Sequence, residues 1–462
     1  KQGWSDLAFL FSLVLLNLRG GECVDDIIIL ENDAGLLRIF KHLELKNTWG
    51  RRRQKLKRQW RNGRRNAFPS PSAIFRYLAF FHNMTQESLR QEGKAFIPEP
   101  NEYLKGFKHI NQEMLEFLQL NRPKDVATID MDATVISSEK KSALYTYKGI
   151  KGYQPLNVWW WEQNYVVHTE FRDGNVPAGF DQKRVFEEAL DCLPAGVQRV
   201  YLRSDSAGYQ HDLLKYCDGG GNSRFGRIGF AIGCDIVSEF KKAVYEVEES
   251  QWHKTYKVIG GKVQETGHEW AEVCFVPIAI SRSKKGPNYR YIAIRELARQ
   301  PLLPGMEGVE EEIQKSFDFP NIKLNNKRYK ISAFVTNLDW YGELIVHWYR
   351  ERCGASEHVH SEMKEALSGG QLPSGKFGVN AAWWWIMVLS LNMTSMLKLL
   401  ALGKSWKRKR MKRIRLWLIN VPGRVILKSK ELIVRLSRGH PAFELLVNVR
   451  KRISLLGSLS PG

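Results

Sequence analysis

The spacing of apolar residues changes along the chain of 462 residues, and each change marks a different kind of predicted structure. Up to residue 121, apolar residues recur at helical spacing, as in SAIFRYLAFFHN and NQEMLEFLQL. After Pro123, short β-branched runs such as VATIDMDATVI and VQRVYLRSD predict strands, and FDQKRVFEEALDCL predicts a helix between them. The pattern therefore predicts a helical region followed by a mixed α/β sheet.

A β-rich segment interrupts the α/β pattern from about residue 236. Its runs YKVIGG, EWAEVCFVPIAI and YRYIAIRE predict strands, and the α/β pattern resumes at YKISAFVTNLDW before a long predicted helix over 342–366. We therefore expect five regions: a helical N-terminal region over 1–121, the first part of an α/β core over 122–235, a β-rich insertion over 236–328, the second part of the core over 329–402, and a basic helical C-terminal region over 403–462.

Two apolar stretches have the composition of membrane or export segments. Residues 7–16 resemble the apolar part of a signal peptide, but no cleavage site of small residues follows them. Residues 377–397 form a stretch of 21 residues without a charge, long enough to span a bilayer, yet it includes Asn380, Ser390 and Asn392. We predict that both are buried helices and that the chain has no membrane partner.

Positive charge dominates the composition and is concentrated in blocks. The chain has 70 Lys+Arg against 49 Asp+Glu, a formal net charge of +21, which predicts a polyanionic partner. The segment 51–66 has nine Lys or Arg and no acid, and 404–415 has eight Lys or Arg. Contact with the phosphate backbone of nucleic acid is the favoured interpretation of the first block. Its candidate contacts are Arg51, Arg52, Arg53, Lys55, Lys57 and Arg58.

The six cysteines are scattered, without a CxxC pair or a histidine pair at zinc-finger spacing. A disulfide framework and a structural zinc site are therefore disfavoured, and the favoured location is a reducing cytoplasm.

Acidic residues at the ends of predicted strands are the main candidates for chemistry. Asp130 and Asp132 lie on one face of the first strand, and Asp205 ends a later strand. Glu357 and Lys364 are seven residues apart, within about 20° of each other around a helix. Each feature alone is weak, but carboxylates brought together from two strands and a helix could hold divalent metal ions over a phosphodiester.

The segments that contain these acids together resemble the DDE transposases of bacterial insertion sequences, in the branch with a Tyr–Arg–Glu–Lys signature. That signature, Y-x2-R-x3-E-x6-K, follows a strand of the type VTN. Here FVTNLDW is followed by Tyr349, Arg352, Glu357 and Lys364, and the resemblance extends over about 120–400.

The resemblance implies a fold, a metal site and a partner. The fold would be an RNase H-like mixed five-stranded sheet flanked by helices, with the β-rich insertion inside it. Asp132, Asp205 and Glu357 would be catalytic and would hold two Mg²⁺ ions, with Mn²⁺ as an alternative and Asp130 as a further possible ligand. Lys364, Tyr349 and an arginine would clamp the phosphates of double-stranded DNA.

One departure from the signature leaves the arginine open. An extra residue lies between Arg352 and Glu357, so a regular helix would place Arg352 about 140° away from Glu357. Either the helix is distorted near Gly354, or Arg350, on the same face as Glu357, takes the role. Glu351 is a weaker candidate for the third acid.

The β-rich insertion could also contact DNA. In related enzymes such an insertion can supply a tryptophan that stacks on a displaced base, and the candidates here are Trp252 and Trp270. A role in the core is nevertheless the favoured interpretation for each of them.

The resemblance implies a transposase that binds terminal inverted repeats, cleaves the transposon ends and joins them to target DNA. A homodimer is expected because two ends must be paired, and the location would be the bacterial cytoplasm, at the nucleoid. The alternatives are an RNase H-like nuclease without strand transfer, a non-catalytic DNA-binding derivative, and a membrane-anchored polybasic protein.

Overall fold

The structure is a computed structural model, and it describes residues 4–46, 48–62, 66–277, 289–298, 321–324, 327–428 and 431–457. The N-terminal region is helical, as the apolar spacing predicts. Its helices are α1 (Asp6–Arg19), α2 (Ile27–Glu31), α3 (Ala34–Lys46), α4 (Gly50–Arg61), α5 (Pro71–Leu78), α6 (Met84–Glu87) and α7 (Glu102–Asn121).

Side-chain caps explain where several of these helices begin. The side chains of Ser5, Ser70 and Asn101 each accept a hydrogen bond from a backbone N–H in the first turn of α1, α5 and α7. Helix α1 ends at Gly20, whose φ of 101° is in the left-handed region that favours glycine.

A mixed sheet follows the helical region, as the pattern predicts. The first strands along the chain are β1 (Val126–Ala133), β2 (Ile136–Ser137), β3 (Leu144–Tyr145), β4 (Lys151–Tyr153), β5 (Leu156–Trp160), β6 (Tyr165–Glu170), β7 (Arg199–Ser204) and β8 (Gly229–Gly233). The large sheet has the order β6-β5-β1-β7-β8 in this part, while β2, β4 and β3 form a separate small sheet. Strands β1, β7 and β8 are parallel to one another, and β5 and β6 run antiparallel to their neighbours β1 and β5.

The strands of the β-rich segment continue this large sheet. They are β9 (His253–Ile259), β10 (Lys262–Val273), β11 (Arg290–Leu297), β12 (Asn321–Leu324) and β13 (Lys327–Thr336). The order beyond β8 is β13-β11-β10-β9, with antiparallel pairing throughout, and β12 pairs with β13. The segment is therefore joined to the core through β13, the strand that leads to the predicted third acid.

Further helices pack around the sheet and form part of the C-terminal region. They are α8 (Gln182–Asp191), α9 (His211–Asp218), α10 (Ser238–Tyr245), α11 (Gly342–Arg350), α12 (Ala355–Ser361), α13 (Phe377–Met396), α14 (Met411–Ile414) and α15 (Phe443–Ile453). The C-terminal region, predicted to be helical, also contains a hairpin of β14 (Gly423–Lys428) and β15 (Glu431–Leu436). Its short β-branched runs favour strands, and Val425 is buried against Gly35 of α3.

Helix α13 lies at the centre of the core, which confirms the prediction of a buried helix. Its length and composition would allow a membrane crossing, but 72% of its most apolar window is buried inside the structure. Its polar residues are paired: Asn392 donates to Asn111 Oδ1 of α7 at 2.8 Å and accepts from the Val166 N–H of β6 at 2.9 Å. These hydrogen bonds offset the burial of polar groups and fix α13 against both elements.

Candidate active site

Two of the predicted acids lie side by side at the carboxyl ends of two parallel strands of the large sheet. Met131 of β1 is paired with Ser204 of the parallel strand β7, so the next residues, Asp132 and Asp205, lie opposite each other. Carboxyl ends of neighbouring parallel strands meet at one edge of a sheet, where ligands bind in α/β folds. Asp205 Oδ1 accepts a hydrogen bond from the Ala207 N–H at 3.2 Å, which fixes its side chain at this edge.

The prediction of a single long helix over 342–366 is wrong, because the chain turns between two helices. Helix α11 ends at Arg350, and α12 begins at Ala355. Gly354 between them has a φ of 76°, a left-handed conformation that favours glycine and interrupts a right-handed helix. The turn accommodates the extra residue upstream of Glu357.

This turn decides which arginine faces the acids. Arg352 is buried, and its Nη2 lies 3.5 Å from Asp132 Oδ2. Arg350 points elsewhere, with its Nη2 3.0 Å from His268 Nε2 on β10. Arg352, not Arg350, is therefore the arginine of the site, although a regular helix would have placed Arg350 there.

The charges of the other predicted acids act on Asp132. Burial raises the pKa of Asp132 to about 7; Arg352 lowers this pKa, whereas the negative charges of Asp205, Asp130 and Glu357 raise it. Glu357 itself is exposed on α12. Asp205 and Glu357 thus both repel the charged form of Asp132, and a bound cation would relieve this repulsion.

His360 also belongs to the site, although the sequence reasoning did not include it. Its Nδ1 lies 4.0 Å from Asp132 Oδ2. Burial, together with the positive charges of Lys364 and Arg352, lowers the pKa of His360 to about 4, so the ring is neutral at pH 7. Its spacing of three residues from Glu357, on one face of α12, was the available signal.

Lys364 lies close to the same edge of the sheet. Its Nζ donates to the Val135 carbonyl at 3.4 Å, just beyond the end of β1. A small cavity of ≈ 20 Å³ beside Asp132 is lined by Asn157 of β5 and by Ser356 of α12 among others. Lys364 therefore lies at the same end of β1 as Asp132.

Asp130, the further possible metal ligand, is paired with Arg203 inside the protein. Arg203 donates to both of its carboxylate oxygens, from Nε at 2.6 Å and from Nη2 at 2.9 Å, and both side chains are buried. The guanidinium lies between the rings of Trp161, at 4.9 Å, and Trp348, at 5.2 Å. It also donates to the Trp348 carbonyl at 2.5 Å, which joins β1 and β7 to α11.

The aromatic residues predicted to contact DNA are packed inside the protein. Tyr349 stacks on Phe334 at 4.5 Å, and its hydroxyl donates to the Ser204 carbonyl at 3.4 Å. Trp252 is 8% exposed, with Arg295 over its ring, and Trp270 is 4% exposed. None of these rings presents a face that a DNA base could stack on in this arrangement.

The donor set has the chemistry of a magnesium site but not a closed shell of ligands. Carboxylate oxygens are the ligands that Mg²⁺ prefers. Among the residues that the structure describes, however, no three His, Cys, Asp or Glu side chains form a group that could hold a metal ion. Asp132, Asp205 and Glu357 remain candidate ligands by their chemistry and because the charges of Asp205 and Glu357 both act on Asp132.

The first basic block is a surface helix. In α4, Leu56 is buried and Trp60 donates from Nε1 to Glu44 Oε2 at 2.8 Å, so these two residues attach the helix to α3. The predicted phosphate contacts all have exposed side chains: Arg51, Arg52, Arg53, Lys55, Lys57 and Arg58.

The raised pKa of Asp132 predicts that this carboxylate lowers stability in the absence of metal. The unfolded chain releases the proton near pH 3.8 and the folded chain near pH 7, so stability falls as pH rises through this window. In EDTA at pH 8, Asp132→Asn should raise the free energy of unfolding by on the order of 3 kcal/mol, with no gain at pH 4. Urea unfolding at both pH values measures this, with the exposed Asp191→Asn as control. A variant no more stable than wild type at pH 8 would contradict the site's electrostatics.

Comparison with known proteins identifies the family. The sequence model of the family described as Transposase DDE domain group 1 matches residues 64–458. No curated protein matches the chain. Among solved structures, the chain is similar to a piggyBac transposase in a synaptic complex with hairpin DNA, studied by cryo-EM, at 10% identity and a TM-score of 0.35, over 100% of this chain and 78% of that one. Because the family match spans most of the sequence, the chain belongs to the DDE transposases of that group.

Proposed function

We propose that the chain is a DNA transposase that binds the terminal inverted repeats of an insertion sequence, cleaves its ends and joins them to target DNA. The main support for this proposal is the position of Asp132 and Asp205, which lie side by side at the ends of neighbouring parallel strands, with the charge of Glu357 acting on Asp132. Membership of the family supports the same conclusion.

The roles of the residues follow from their charges and positions. Asp132, Asp205 and Glu357 would hold Mg²⁺, which when bound would act as a Lewis acid on the scissile phosphate and activate water or a 3′-hydroxyl. Arg352 orients Asp132, and Lys364 binds the neighbouring phosphate by charge. His360, neutral at pH 7, adds no positive charge beside Asp132 and so does not oppose cation binding.

The fold supports this chemistry. Strands β6, β5, β1, β7 and β8 form a mixed five-stranded part of the sheet, which agrees with an RNase H-like core that carries its acids on β1 and after β7. The same proposal includes a homodimer on DNA, assignment to the Tyr–Arg–Glu–Lys branch of insertion-sequence enzymes and a location at the bacterial nucleoid.

The proposal is tested with genomic DNA fragments that contain the sequences on either side of the coding region. The full-length chain should cleave at defined positions near the outer ends in Mg²⁺ or Mn²⁺, and not in EDTA. Cleavage at random positions would favour the nuclease alternative. Specific binding without cleavage in either metal would favour a non-catalytic DNA-binding derivative.

The exposed cations of α4 predict a salt-dependent contribution to DNA binding. Changing Arg51, Arg52, Arg53, Lys55, Lys57 and Arg58 together to glutamine removes six charges while keeping a good helix former at each position. If each contacts one phosphate, the negative slope of log K against log salt becomes less steep by about 5. Fluorescence anisotropy over a salt series measures the slope.

A control variant changes two exposed cations on the β9–β10 hairpin, Lys257→Gln and Lys262→Gln. Its slope should stay close to that of wild type. An unchanged slope in the α4 variant would exclude α4 from the DNA interface.

A further inference from the structure

The small sheet of β2, β4 and β3 presents two exposed tyrosines. Tyr145 is 50% exposed and Tyr147 is 75% exposed, while Thr146 between them is buried. Tyr145 ends β3 and Tyr147 lies in the turn between β3 and β4, so both exposed rings lie at this end of the small sheet. We call this end of the sheet, with Lys148 and Lys151, the tyrosine face.

Each ring of the tyrosine face has a lysine beside it. Lys148 Nζ lies 5.6 Å from the ring centroid of Tyr147, and Lys151 Nζ lies 5.3 Å from that of Tyr145. The preceding turn adds two exposed cations, Lys140 and Lys141. Aromatic rings interleaved with cations are the combination by which proteins bind single nucleic-acid strands, since bases stack on the rings and phosphates contact the cations.

The tyrosine face is built on a rigid support. Ser142 donates through its hydroxyl to the Gly375 carbonyl, and its own carbonyl accepts from Arg90 Nη2 at 2.9 Å. The Thr146 N–H and hydroxyl both donate to the Ile150 carbonyl, at 2.8 and 2.9 Å. The backbone beneath the exposed rings is thus held by several hydrogen bonds, so little backbone freedom would be lost on stacking.

The position of the tyrosine face relates it to the candidate active site. Strand β2 begins at Ile136, four residues after Asp132. The Val135 carbonyl between them accepts from Lys364 Nζ at 3.4 Å. The small sheet therefore starts close to Asp132, and the tyrosine face lies at its other end, because Ile136 pairs with Tyr153 of β4 whereas Tyr145 pairs with Lys151.

We infer that the tyrosine face binds unpaired nucleotides of a DNA strand that passes the candidate active site. The location of the DNA in this inference rests on the proposed function. A base offers its flat side to an aromatic ring only when it is unstacked, so the rings act on unpaired nucleotides, whereas the lysines act on any phosphate backbone.

The experiment compares two probes, a blunt DNA duplex and the same duplex with a short single-stranded thymidine overhang, against the full-length chain. Wild type should bind the overhang probe more tightly than the blunt one. Tyr145→Ala/Tyr147→Ala should weaken binding of the overhang probe about tenfold and change that of the blunt probe less than twofold. Tyr145→Phe/Tyr147→Phe should bind like wild type, because stacking needs the ring and not the hydroxyl.

Two further variants complete the design. Lys148→Gln/Lys151→Gln should weaken both probes alike, and Tyr245→Ala/Tyr256→Ala, at exposed tyrosines on α10 and β9, should change neither. Overhang binding by the alanine variant equal to that of wild type, or an equal loss on both probes, would overturn the inference. Such a result leaves cleavage at the element's ends untouched, whereas absence of cleavage with an intact overhang preference would count against the proposed function alone.

Discussion

Asp205→Asn is expected to abolish Mg²⁺-dependent cleavage of the element's ends while leaving DNA binding intact. Asp205 lies opposite Asp132 at the end of β7, and its negative charge contributes to the raised pKa of Asp132. Asparagine keeps the size and the hydrogen bond to the Ala207 N–H but removes the charge that a divalent cation needs. A metal ion supplies several kcal/mol of transition-state stabilisation, so the rate should fall about a thousandfold or more.

Single-turnover cleavage of an end-labelled fragment measures the rate, and a gel shift in EDTA measures binding. Asp191→Asn, at an exposed position on α8, is the matched control and should cleave like wild type. Asp132→Asn and Glu357→Gln should both behave like Asp205→Asn. If Glu357→Gln cleaved normally while the two aspartate variants did not, the third acid would have to be sought elsewhere, with Glu351 as the first alternative.

Arg203→Met is expected to lower the free energy of unfolding by about 3–5 kcal/mol, since removing one partner of a buried ion pair leaves the other uncompensated. Arg203 is fully buried, is bonded to both oxygens of Asp130 and lies between Trp161 and Trp348. Its loss also frees the carbonyl of Trp348, so the turn that holds Arg352 should shift. Urea unfolding followed by tryptophan fluorescence measures the change.

Two variants separate the ion pair from a general loss of packing. Arg199→Met, at an exposed position on the same strand, should stay within about 0.5 kcal/mol of wild type. Asp130→Asn added to Arg203→Met should recover part of the lost stability, because it removes the uncompensated charge. A double variant less stable than Arg203→Met would show that Asp130 does not depend on Arg203 in the way the contacts indicate.

Local patterns predicted those parts of the structure that depend on neighbours in sequence. The helical N-terminal region, the strands that carry Asp132 and Asp205, and the buried helix α13 all follow from apolar spacing or β-branched runs. The extra residue upstream of Glu357 allows a distortion at Gly354, but the helical pattern over 342–366 predicts a continuous helix. Periodicity does not report the backbone dihedral angle that interrupts it.

The features that were missed depend on contacts between distant segments. Arg203 meets Asp130 across 73 residues and the Trp348 carbonyl across 145, and nothing in either segment indicates this pairing. A role in the core is favoured for Trp252 and Trp270, but their partners, Arg295 of β11 and Gly342 of α11, are likewise distant in the sequence. The choice of Arg352 over Arg350 required the actual path of the turn.

A transposase joins DNA ends as well as cutting them, whereas a nuclease only cuts. Strand transfer is measured by incubating the protein with Mg²⁺, a pre-cut element end with a free 3′-hydroxyl, and a supercoiled plasmid. We predict covalent joining of the end to the plasmid by wild type and none by Asp205→Asn. Cleavage of the uncut end without any joining of the pre-cut one would contradict the proposed transposase and identify a nuclease on the same fold.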